Sequence, residues 1–384
     1  MTHNPGDWSP QSNEFSGQAG PGADSYPERL PTKCPYTFRD MGPNPSSLSP
    51  FAKDENGQPR QLPDGWAGSG TITFAMAGAR SSGKSLYIAV VVKLLKRLVI
   101  ANGGTFRAAD AYTEKTYHEH FEEPLFENMG ILPPTPPSSQ MDAYQREPLI
   151  FDIGSYRRGP EGKLQKVFVV FRDVAGEDLK AEGFDSRQES LSFFRFADQV
   201  IFLYDPMAVP RIRDLLAGTV STHEVGADDP ADVLRNLLSV LGERYRPFIA
   251  LTLSKFDTLQ NLENISLPSF EGVRGRDINW QRVMGNKGTR FSHEGSGLQE
   301  PFDLADHNLL NAEVHSLLQC LEATELINQM KVPQQGDRPY FYSCFAVSAL
   351  GDSPASGKIS RSGIAPFRCL DPIRHALFYK EIIK

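Results

Sequence analysis

One short run of glycine, serine and lysine has the chemistry to hold a polyphosphate. Residues Gly78-Ala79-Arg80-Ser81-Ser82-Gly83-Lys84-Ser85 fit the pattern G-x-x-x-x-G-K-[ST], with a strand-length apolar run before them and an apolar helical pattern after. Glycines let the backbone wrap a phosphate so that N–H groups and the helix N-terminus face its oxygens. In that arrangement Lys84 bridges the β- and γ-phosphates and the Ser85 hydroxyl ligates Mg²⁺. Arg80 stands beside the expected γ-phosphate position. Its guanidinium either stabilises transition-state charge in cis, obstructs an arginine finger from a partner, or points to solvent.

Downstream residues decide the base and the reaction. An apolar run ends in Asp173-Val174-Ala175-Gly176-Glu177, a D-x-x-G arrangement. An acid at the tip of a strand holds Mg²⁺ through water, and a glycine three residues on offers its N–H to the γ-phosphate. Further along, Ser254-Lys255-Phe256-Asp257 fits an [NT]-K-x-D type motif with serine in the first place. The Asp257 carboxylate accepts hydrogen bonds from guanine N1–H and its amino group, while the Lys255 stem covers the base. Adenine has no matching donor pair, so losing charge-assisted bonds of roughly 1.5–3 kcal/mol each discriminates against ATP. The departure at Ser254 points to reduced base affinity, although its hydroxyl can still brace the phosphate loop. Finally Ser348-Ala349-Leu350 fits S-A-[KL], in which the alanine N–H contacts guanine O6 and the serine steadies the aspartate.

These residues must be placed by strands and helices in alternation. Strand-length runs occur at 71–77, 149–153, 166–172, 199–204, 247–253 and 340–347. Helical patterns fall at 84–100, 112–128, 187–196, 230–244, 308–330 and 372–382. The order predicts an α/β, three-layer P-loop NTPase fold: a mostly parallel six-stranded sheet with helices on both faces. The short link 154–162 allows only a hairpin, so one strand runs antiparallel. Two long polar or proline-rich segments, about 102–147 and 261–306, fit no core element and read as large inserts.

The chain has 384 residues, with 40 Lys+Arg against 47 Asp+Glu and a net charge of −7. That balance excludes general nucleic-acid binding through a basic surface. Eleven of the 29 prolines lie in the first 63 residues, so residues 1–68 are expected to be a disordered or loosely packed arm and 69–384 one enlarged nucleotide-binding domain. Four cysteines without C-x-x-C spacing indicate reduced thiols. No leader and no membrane span are read, and the expectation is a cytoplasmic protein.

Over residues 70–384 the chain resembles the translation-factor and Ras-like class of P-loop GTPases (TRAFAC). The loop at 78–85, the segment Asp173–Asp178 and the helix start Cys369-Leu-Asp-Pro372 resemble the bacterial paired "double-GTPase" family. That resemblance implies a multi-gene conflict system with a second GTPase or GAP-like protein as partner. It also implies a switch I threonine ligating Mg²⁺, for which Thr135 is the candidate. Glu177 stands where the class often carries a water-positioning glutamine; it either orients water or is a first-turn acid of a helix. The resulting expectation is a Mg²⁺-dependent GTPase that converts GTP to GDP and phosphate, slowly without a partner, with Lys84, Thr135, Gly176, Glu177 and Arg80 acting on the γ-phosphate. A nucleotide-held scaffold with little turnover and a P-loop ATPase are the alternatives.

Overall fold

The computed structural model describes residues 29–130, 132, 147–180, 184–219, 228–265, 278–332, 336, 338–352 and 363–384. Nine strands are described: β1 (Leu48–Lys53), β2 (Pro59–Gln61), β3 (Gly70–Gly78), β4 (Arg107–Ala108), β5 (Leu149–Arg158), β6 (Lys163–Arg172), β7 (Gln199–Tyr204), β8 (Phe248–Leu253) and β9 (Tyr342–Ala346). The α-helices are α1 (Lys84–Ala101), α2 (Ala111–Tyr117), α3 (Phe184–Arg187), α4 (Pro210–Leu215), α5 (Pro230–Leu241), α6 (Phe256–Gln260), α7 (Trp280–Met284), α8 (Leu304–Cys320), α9 (Glu325–Lys331) and α10 (Asp371–Tyr379).

Seven strands form the main sheet in the order β4-β5-β6-β3-β7-β8-β9. β6, β3, β7, β8 and β9 are mutually parallel, whereas β5 is antiparallel to both neighbours. The hairpin expected at 154–162 is therefore present, although β5 extends into it as far as Arg158 and it turns within Gly159–Gly162. The seventh strand, β4, is a two-residue edge pairing inside the first insert; so short a pairing carries no periodicity for sequence reading.

All nine residues of β3 are buried, which requires cover on both faces. Ile72, Phe74 and Met76 pack with the apolar side of α1 and with Ile373 and Leu377 of α10. Ala75 and Ala77 join the opposite core with Leu234 and Leu238 of α5, Val314 of α8 and Ile327 of α9. This is the three-layer α/β arrangement, and every parallel strand delivers its C-terminal end to one edge of the sheet.

Helix boundaries depart from the pattern in three places. The stretch 112–128 is α2 followed by a π-helix, His118–Glu127, containing Pro124. Proline supplies no N–H and crowds the preceding turn, and a wider turn relieves both. The stretch 187–196 forms only short turns, α3 and a 3₁₀ turn at Ser192–Phe196. The long pattern at 308–330 is broken between α8 and α9, where Glu322 takes a left-handed φ of 56° and Ala323 N–H bonds Leu318 O at 2.8 Å.

Residues 29–68 correct the expected loose arm. Cys34, Phe38, Leu62 and Trp66 are buried, and Trp66 stacks on Phe168 of β6 at 4.6 Å. Gln165 binds Leu30 twice, accepting from its N–H and donating to its carbonyl, both at 2.9 Å. Lys33 Nζ lies 2.9 Å from the Asp198 carboxylate, which also receives Lys380 at 2.6 Å. Burial alone would raise the Asp198 carboxyl, but the two lysines hold it well below the usual range. Average composition hid this because a few large apolar anchors do the packing. Residues 1–28 lie outside the described residues.

The second insert is tied down by two buried arginines flanking the start of α10. Arg368 donates to the Asp371 carboxylate at 2.6 Å, to Arg290 O at 3.1 Å and to His293 O at 3.0 Å, and it also pairs with Asp306. Arg374 donates to Gly297 O at 3.0 Å and Glu300 O at 2.5 Å.

Candidate nucleotide site

The phosphate loop follows directly from how β3 ends. Gly78 has φ 143°, and a Cβ there would lie 2.3 Å from Leu203 O on β7, so only glycine fits. Ser81 at φ 63° and Gly83 at φ 90° are left-handed. Such residues turn successive N–H groups of a short loop to one side, forming an anion nest, and α1 begins immediately at Lys84. Lys84 is buried, with Nζ donating to Gly78 O at 2.8 Å and Ala79 O at 3.0 Å. Burial lowers its pKa, and nearby Asp173 opposes that shift. Ser82 is buried too, and its Oγ finds no hydrogen-bond partner among the described residues.

β6 runs parallel to β3 and places Asp173 at its tip. Burial pushes this carboxyl up to about 6, against the pull of Lys84 and of the Val174 N–H bonded to Oδ1 at 2.9 Å. Oδ2 is buried without a hydrogen-bond partner among the described residues. A buried carboxylate oxygen lacking a donor suits a divalent cation, so Asp173, together with the Ser85 hydroxyl at the start of α1, fits Mg²⁺. Thr135 lies outside the described residues.

Gly176 presses against the phosphate loop. A Cβ at that position would sit 2.4 Å from Arg80 N and 2.7 Å from Ala79 C, so backbone meets backbone there. Glu177 begins a 3₁₀ turn with Gly176, and its Oε1 lies 2.9 Å from Arg80 Nη1. The two residues with open readings are therefore paired with each other.

The opposite end of the site comes from β8 and β9. Ser348 Oγ donates to Asp257 Oδ1 at 2.5 Å and accepts from Gly351 N–H at 2.9 Å. Phe256 N–H bonds Val347 O at 3.0 Å, which locks the two base motifs together. Ala349 packs against the α1-side core, and Leu350 is buried. Ser254 does not brace the phosphate loop: its Oγ donates to Tyr204 O at 3.0 Å, at the end of β7. Lys255 takes a left-handed φ of 48° and reaches Asp205 Oδ2 at 2.7 Å. Asp205 was not singled out by sequence reading. Its signal was an acid directly after the strand that neighbours β8.

Residues 72–320 match the family model Double-GTPase 2, well over half of the chain. A protein of Mycolicibacterium smegmatis (strain ATCC 700084 / mc(2)155), named provisionally as the ESX-1 scaffolding and assembly protein SaeC, is 38% identical over 313 residues, covering 82% of this chain and 76% of its own. Among solved structures, the septin GTPase domain of Chlamydomonas reinhardtii is 12% identical with a TM-score of 0.32, covering 82% of this chain and 93% of its own. A provisional nucleolar GTP-binding protein 1 of Plasmodium falciparum is 11% identical with a TM-score of 0.29, covering 84% and 91%.

Proposed function

The chain belongs to the Double-GTPase 2 family, and from that premise we propose that this GTP-binding protein hydrolyses GTP to GDP and phosphate with Mg²⁺ and changes its grip on protein partners as it does so. One observation carries the reading: parallel strands bring Gly78–Ser85, Asp173–Gly176, Ser254–Asp257 and Ser348–Leu350 to the same edge of the sheet, with Ser348 bonded to Asp257. That order of phosphate loop, acid and base motifs is the one guanine recognition needs.

In this reading Lys84 transfers its bonds from the Gly78 and Ala79 carbonyls to phosphate oxygens, and Gly176 N–H meets the γ-phosphate. Asp257, steadied by Ser348, accepts from guanine N1–H and the amino group, and Ala349 N–H donates to O6. Ser85 and Asp173 would hold Mg²⁺, with Thr135 proposed as a further ligand, and the ion would supply neutralisation of charge on the phosphates. Glu177 orients the attacking water once Arg80 turns to the phosphates. A cytoplasmic location is part of this proposal; among the described residues no helix is long and apolar enough to cross a membrane. A second GTPase or GAP-like partner in a conflict system is the partner class the family reading carries.

A low-turnover scaffold is the second reading. It is favoured by the Arg80–Glu177 pair, which engages the water-positioning carboxylate, and by the scaffolding name of the mycobacterial relative. Nucleotide released by heat from purified protein, followed by phosphate release under single-turnover conditions, separates them. Bound guanine nucleotide with release well above that of Lys84→Ala supports the GTPase. Tight GTP with release equal to that variant, partners included, supports the scaffold, and equal displacement of labelled GTP by ATP overturns both.

A further inference from the structure

We propose that Asp205 is a positioning residue for base recognition: it anchors the head of Lys255 so that the lysine stem is preset as a platform for the purine. The inference rests on the guanine-binding reading above and adds a residue outside its motifs.

Lys255 has φ 48° and ψ 42°. A non-glycine residue in the left-handed region is strained, and such a conformation persists where surroundings over-determine it. The determinants lie on both sides. Ser254 sends both its N–H and its hydroxyl to Tyr204 O, at 2.8 and 3.0 Å, and Phe256 N–H is held by Val347 O at 3.0 Å. With its backbone pinned, the lysine side chain reaches across to β7, where Nζ meets Asp205 Oδ2 at 2.7 Å.

Asp205 is a fixed anchor rather than a mobile counter-ion. Its other oxygen accepts from Met207 N–H at 2.9 Å, capping the turn Pro206–Ala208, and its side chain is 9% exposed. The Lys255 side chain is 37% exposed. A lysine tethered at its charged end with part of its length uncovered presents methylene surface in one place, which suits a flat ring. A free lysine gives up rotamer entropy when immobilised, and the tether supplies much of that ordering before any ligand arrives. Exposed ion pairs contribute little, but this carboxylate is buried and committed on both oxygens. Ser254 adds to this from its own side chain: its hydroxyl bond to Tyr204 O ties the motif's start to β7.

The test is a double-substitution cycle read by binding of a fluorescent GDP analogue. Asp205→Asn keeps an oxygen for Met207 and removes the charge; it should weaken GDP about tenfold, or about 1.4 kcal/mol, with an unchanged melting temperature. Lys255→Met should weaken GDP to a similar degree. Adding Asp205→Asn to Lys255→Met should then cost nothing further, and Asp205→Glu should recover part of the loss. A purely structural Asp205 would instead weaken binding equally in both backgrounds, and that result overturns the proposal. If Asp205→Asn does not fold, unchanged GDP affinity in Lys255→Met overturns it as well. Guanine binding by the wild type with an unaffected Asp205→Asn sinks this inference alone, whereas a wild type that binds no guanine nucleotide sinks the guanine reading and this inference with it.

Discussion

Asp257 Oδ1 accepts a hydrogen bond from the Ser348 hydroxyl at 2.5 Å. Replacing Asp257 with asparagine keeps the shape but reverses part of its hydrogen-bond polarity, so GTP binding should fall at least about tenfold while a xanthosine nucleotide is spared; parallel titrations with both nucleotides check this. Gly176 is constrained differently, by space. With Arg80 N only 2.4 Å from a built Cβ, Gly176→Ala must push the segment off the phosphate loop. The expected outcome is loss of any preference for GTP over GDP with GDP affinity kept within about threefold, measured by competition. Both residues were legible in the sequence because motif and spacing name them. The Arg80–Glu177 pair was not, since each side chain had several stable destinations and only the fold shows that they meet. Asp205 escaped for a similar reason: its role is defined by the reach of a lysine from the next strand.

At the scale of elements, α8 and α10 meet through rings. His307 and His375 lie 4.8 Å apart and pack with Phe302 and Phe345. Burial pushes His307 down to about 4, with Arg368 adding to the shift; burial also lowers His375 well below its ordinary value. A histidine whose folded pKa is depressed stabilises the fold above its unfolded pKa near 6.5, and that contribution is lost as pH falls towards 4. His307 alone should account for about 2 kcal/mol lost between pH 7.5 and 5. Urea unfolding at the two pH values checks it, with His307→Phe expected to flatten the difference. The alternation of strands and helices that builds this packing was readable, because buried parallel strands are apolar runs that end abruptly. Breaks such as Glu322 were not, because a single left-handed residue leaves helical periodicity intact on either side.

The described residues centre on the seven-stranded sheet, and residues 29–68, which carry a separate β1–β2 pair, pack on it. Trp66, 1% exposed against Phe168, is the largest apolar anchor of this segment. Trp66→Ala should cost on the order of 3–5 kcal/mol, seen as a lower melting temperature with nucleotide absent. Composition made the segment read as a loosely packed arm, since proline-rich texture dilutes its few anchors, whereas motif order led to one unit spanning Gly78 to Leu350 being expected. The burial of Trp66 also has an optical consequence. The chain has three tryptophans; Trp66 sits under the N-terminal segment and Trp280, 4% exposed, sits in the second insert. Each indole is a native fluorophore whose emission moves to the red when water reaches it. Undocking of either addition therefore carries its own colour change, and replacing both Trp8 and Trp280 with phenylalanine would leave Trp66 to report on its segment without any attached dye.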